Sequence, residues 1–146
     1  MNQSVLKAYE SLGFKVTVSP SVNYSGYSNT KDRMITLNAR QLEIFPDTIY
    51  HELGHFVAFI AGNVDTKTDF AAIYAAEKDK MTGVNKAYNT QNASEYFAES
   101  VKEYIVSPSA LKSSRPKTYA AVESALSKVT DSRVASVQKV YASIWK

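Results

Sequence analysis

The chain is 146 residues long with a formal net charge of +3; 45% of its residues are hydrophobic and 21% charged. That length supports one domain, residues 1–146, able to bury its own core, and no apolar run reaches the roughly 18 residues that span a bilayer. The 17 Lys and Arg are scattered among 14 Asp and Glu rather than gathered in a stripe, which argues against nucleic-acid binding; with no cysteine, disulfides and thiolate ligands are excluded.

Residues 3–12 place Val5, Leu6, Tyr9 and Leu12 at helical spacing, with Gly13 as the stop. Residues 14–18 alternate with period two and are rich in β-branched side chains, which predicts a strand, and residues 33–37 predict another. Between them the turn-rich segment 20–32 reads as a short strand or hairpin. A strong helix is expected over 47–61, opened by Pro46-Asp47 and closed by Gly62-Asn63. Further helices are expected over 67–80 and over 94–106, the latter stopped before Pro108, with a loop over 81–92 between them. Residues 117–145 read as one long helix or two, broken near Thr130-Asp131. A small N-terminal sheet followed by helices makes the fold class α+β.

The first helix after the strands contains His51-Glu52-Leu53-Gly54-His55. On a helix, residues four apart share a face, so the two imidazoles can converge on one tetrahedral cation, while Glu52 projects beside it and can take a proton from a water. The chain has 2 histidines, and both fall in this window. The flanking Ile49, Leu53, Phe56, Val57 and Ile60 predict a helix sunk in the core, as a rigid site requires.

A hydrolytic zinc site needs a third protein ligand and an open position. The positions where the longer HExxHxxGxxH motif carries its Gly and third His hold Ala58 and Ala61, so the third ligand must be a downstream carboxylate. Glu77 stands in Glu77-Lys78-Asp79-Lys80, which reads as a solvated helix end. Glu95 and Glu99 stand at i and i+4 on one helix face, where their mutual repulsion calls for a cation or an imidazole N–H. Spacing alone leaves open which of the two is the ligand.

HELGH followed by Tyr88, six residues, and Glu95-Tyr96-Phe97-Ala98-Glu99 resembles the catalytic domain of the anthrax lethal factor and clostridial Pro-Pro endopeptidase family, and a weaker likeness continues to Pro116-Lys117-Thr118-Tyr119. The resemblance covers roughly residues 47–125 and implies a zincin-like fold and a secreted zinc endopeptidase acting on a peptide or protein substrate. It implies Zn2+ held by His51, His55 and Glu95, Glu52 as general base, Tyr88 as the transition-state tyrosine, and Glu99 as the carboxylate supporting a ligand histidine. The strand 33–37 reads equally as a plain structural strand or, by the same resemblance, as the edge that pairs with an extended substrate. Two features depart from the family: the segment before the motif is short, and the one tryptophan, Trp145, lies too late in the chain to form an early platform for substrate prolines. The opening MNQSVLKAYESLGF shows no signal-peptide pattern, and a monomer is expected. A zinc-binding module without turnover and a metallo-hydrolase acting on a non-peptide amide are the competing functions.

Overall fold

The computed structural model describes residues 3–41, 43 and 45–145. Eight α-helices and three strands are present among them: α1 (Gln3–Ser11), β1 (Lys15–Ser19), β2 (Gly26–Asn29), β3 (Met34–Asn38), α2 (Phe45–Ile60), α3 (Thr68–Glu77), α4 (Lys86–Asn89), α5 (Ala93–Val106), α6 (Pro108–Ser114), α7 (Pro116–Ser127) and α8 (Asp131–Tyr141). The architecture is α+β, with the sheet confined to the first forty residues.

The sheet order is β1-β3-β2, with β1 parallel and β2 antiparallel to β3. Ile35 and Leu37 of β3 turn inward and are buried, as period-two alternation requires. Because β3 is the central strand, both of its backbone edges are engaged, so of the two readings of residues 33–37 the plain structural strand holds and the substrate-pairing edge does not. The edge nearest the helices is β2, the short strand inside the turn-rich segment.

The core forms where α1, the sheet, α2 and the C-terminus meet. Tyr9, Phe14 and Phe56 pack with ring centroids 4.9–5.2 Å apart, and Trp145 stands edge-on to Phe14 at 5.6 Å. Trp145 thus serves as a buried clamp on the opening elements. On α1, Val5 and Tyr9 are buried as expected, as is Leu12 just after it, whereas Leu6 is 37% exposed and faces away.

Most boundaries expected from the sequence shift by a residue or two, while α3 ends three residues short of the expected 80 and α8 four short of the expected 145; two elements were unforeseen. Residues 86–89 inside the expected loop form the single turn α4, too short for periodicity to reveal. Pro108 ends α5 but also occupies the first turn of α6, where its missing N–H costs nothing. Residues 116–141 form two helices with Thr130 as the N-cap of the second, accepting from the Arg133 N–H at 3.2 Å.

Candidate metal centre

The site lies between α2 and α5, the most extensive helix pairing in the molecule. Leu53, Phe56, Val57 and Ile60 of α2 are buried, with Ile49 partly so, and the HELGH segment is carried into the interior with them. A side chain at Gly54 would be impossible here: a Cβ would sit 2.6 Å from the Ala98 carbonyl oxygen and 2.7 Å from its Cα. Glycine facing alanine lets the two helix backbones touch, and this contact sets Glu95 and Glu99, one turn apart on α5, opposite the histidines. Asn92 caps α5 by accepting the Glu95 N–H at 2.8 Å, which frees the Glu95 carboxylate from capping its own helix.

The Glu95 carboxylate meets both imidazoles, one oxygen 2.9 Å from His51 Nε2 and the other 3.3 Å from His55 Nε2. Potential ligand atoms of His51, His55 and Glu95 all lie within 4.8 Å of one another. On its far side His51 Nδ1 lies 2.8 Å from Glu99 Oε1, and Glu99 Oε2 accepts from Lys102 Nζ at 2.9 Å. Glu99 can only accept, so it fixes the proton on Nδ1 and turns the His51 Nε2 lone pair toward Glu95. A lone pair and a carboxylate oxygen at that distance repel unless a proton or a metal ion lies between them.

The electrostatics follow from this arrangement. Burial would lower the His51 pKa, but its hydrogen bonds to Glu95 and Glu99 carry it up to about 9 from the usual 6.5. Burial would raise the Glu95 pKa, yet hydrogen bonds from His51 and His55 hold it down at about 2. Burial likewise acts upward on Glu99, and the bonds from His51 and Lys102 outweigh it. Glu52, 5% exposed, has no such compensation: burial raises its pKa against the lowering influence of His55 and His51. Burial, then the Glu95 and Glu52 charges, raise the pKa of Tyr88 and keep its hydroxyl protonated.

Tyr88 lies on α4 with its ring 6.4 Å from that of His51, 54% exposed and open to a ligand. An open cleft passes across the cluster as two chambers that share Gly26, Glu52 and Tyr88. One, about 290 Å³, lies on the His55 side against Tyr27, Ser28 and Phe59; the other, about 490 Å³, lies on the His51 side against Asn23, Gln41 and Asn89. Gly26 lets β2 lie against Glu52, since a Cβ there would stand 2.4 Å from Thr48 Cγ2 and 3.2 Å from Glu52 Cγ.

A family model described as anthrax toxin lethal factor, N- and C-terminal domain, matches residues 24–125. The chain belongs to this family. The match starts before the likeness that motifs alone suggested, taking in β2 and β3 as well as all six residues of the cluster, and it leaves out α1, β1 and α8. No curated protein and no solved structure matches the chain.

All six site residues singled out in the sequence therefore come together: His51, Glu52, His55, Tyr88, Glu95 and Glu99. Glu77 does not join them, and it is not the solvated helix end its neighbours suggested. It is 3% exposed and accepts from Thr118 N and Thr118 Oγ1, each at 2.7 Å, and from Lys117 N at 3.2 Å, capping α7 from outside. Burial would raise its pKa, but the Thr118 and Lys117 bonds lower it. Sequence reading passed over Lys102, whose signal was its place one helical turn beyond Glu99. It also did not weigh Gly54, a glycine within a helix that has no other reason to tolerate one.

Proposed function

We propose that this lethal factor family member is a zinc-dependent endopeptidase. The family takes in two toxin domain types, so the reading rests on this chain's own side chains. The observation that carries it is the Glu95 carboxylate facing both ring Nε2 atoms while Glu99 fixes the His51 tautomer. Two imidazoles and one carboxylate, with no thiolate, form the donor set of a hydrolytic rather than a structural zinc site. His51, His55 and Glu95 would hold the ion, and the cleft beside them leaves one side open.

Zinc so held supplies Lewis acidity, lowering the pKa of a water toward about 7 and polarising a substrate carbonyl. Glu52, kept basic enough by burial, removes the proton from the attacking water and delivers it to the leaving amine. Tyr88, protonated and exposed, donates a hydrogen bond to the oxygen on which negative charge develops. Substrate lies extended along β2, the edge strand that borders both chambers, in place of the central β3. The open-ended cleft suits a polypeptide better than a small amide.

The test is digestion of a mixed peptide library by zinc-loaded protein. Wild type should cleave, and Glu52→Gln should bind zinc equally but cleave about 10²–10⁴-fold more slowly. Zinc binding without cleavage of any peptide would favour a binding module instead.

A further inference from the structure

The two chambers differ in chemistry. The larger one, on the His51 side, has no aliphatic side chain in its wall; four of its residues are the amides Asn23, Gln41, Asn85 and Asn89. Among the described residues none of these four side chains hydrogen-bonds to the protein, whereas the side chains of Asn29, Asn38 and Asn92 are each bonded. Asn23 and Asn85 are exposed and can be satisfied by solvent. Asn89 differs: it is 8% exposed, on the same single turn as Tyr88, and lines the chamber. Gln41 is half-buried, and its Oε1 is fully buried without a partner. A buried polar group left unpaired costs about 1–3 kcal/mol, so an acceptor held like Gln41 Oε1 is uncommon unless a ligand completes it.

The direction of β2 says which part of a substrate reaches them. The chain passes along the amide-lined chamber at Asn23–Ser25, crosses the shared Gly26, and continues beside the other chamber at Tyr27, Ser28 and Thr30. A peptide added antiparallel to β2 runs the opposite way, so the amide-lined chamber receives residues on the C-terminal side of the scissile bond. Of the charges that line it outside the metal centre, the Lys102 ammonium is taken up by Glu99 and the Asp47 carboxylate is exposed to solvent.

Resting on the peptidase reading, we propose that Asn89 and Gln41 are specificity-determining residues that select an uncharged, hydrogen-bonding side chain, that of Asn, Gln, Ser or Thr, at one of the first two positions after the cleaved bond. Each amide offers two donors and an acceptor, which such side chains match. An aliphatic side chain or a proline would leave both amides unpaired.

The test is sequencing of the new N-termini released from a diverse peptide library by zinc-loaded protein. Asn, Gln, Ser and Thr should exceed Leu, Ile, Phe and Pro at that position by about 10- to 100-fold, as expected when one or two buried amides gain or lose partners. Asn89→Leu and, separately, Gln41→Leu on its half-buried loop should collapse that ratio, and Asn89→Asp should turn the preference toward Lys and Arg. The two Leu positions keep the test decisive if one variant fails to fold. Preference for apolar, proline or basic residues in wild type, or a ratio unmoved in the Leu variants, overturns the assignment while leaving the peptidase reading intact. Absence of any cleavage overturns both.

Discussion

The two faces of α5 carry polar groups of the same kinds to opposite ends. On the face toward α2, Glu95 and Glu99 reach His51 and His55, and the contact between Glu95 and the ring Nε2 atoms needs a proton or a metal ion between them. On the face toward α7, the Tyr96 hydroxyl meets Thr118 Oγ1 at 2.7 Å and Arg115 pairs with Glu103, while Glu77 closes the end of α7. The Glu77 carboxylate there accepts three hydrogen bonds from α7, which compensate its charge without a metal. A buried carboxylate marks a reactive site when its partners cannot satisfy it and a structural one when they can.

That contrast can be broken most sharply at Tyr88. On the α2 face, Tyr88→Phe removes the proposed oxyanion donor and should reduce kcat by about 10²–10³-fold with zinc affinity unchanged, as measured by steady-state kinetics beside chelator competition. Unchanged kcat would strip Tyr88 of its role and leave the metal centre standing. Next comes Glu99→Gln, which removes the anchor of His51 and should weaken zinc binding about 10- to 100-fold in the same competition. On the α7 face the matching change is Glu77→Ala. It should leave zinc affinity alone and cost about 2–3 kcal/mol in denaturant unfolding, through a lost cap and unpaired buried Thr118 groups.

The smallest effect concerns pH in metal-stripped protein. His51 has its pKa raised from 6.5 to about 9, so its contribution is complete below 6.5 and is lost as pH rises through about 9. Glu95 has its pKa lowered from 4.5 to about 2, so its contribution is complete above 4.5 and is lost as pH falls through about 2. Both shifts describe one coupled pair. The Tm difference between wild type and Glu95→Gln should be widest between pH 4.5 and 6.5 and should shrink by pH 10. A difference flat across that range would show that the pair is not ionised as described.

The α2 face was legible in the sequence because its chemistry is written locally. HELGH and the Glu95–Glu99 pair each declare a helix face through their spacing, and the buried stripe around Leu53 and Phe56 says that the first of these faces inward. What lies between elements was not legible. The burial of Glu77 depends on α7 arriving from forty residues away, and its charged neighbours Lys78, Asp79 and Lys80 pointed to solvent. Which strand forms the edge was left open for the same reason, since β3 looks like any other strand until the parallel pairing with β1 puts it in the centre. Asn89 sits in a single helical turn, where there is no periodicity to read.

Zinc analysis of the purified protein tests the central claim most directly. One equivalent should bind per chain, and binding should be lost in His55→Ala and in Glu95→Ala but kept in Glu77→Ala. Wild-type protein that takes up no zinc, or a Glu95→Ala variant that holds it as tightly, would contradict the account.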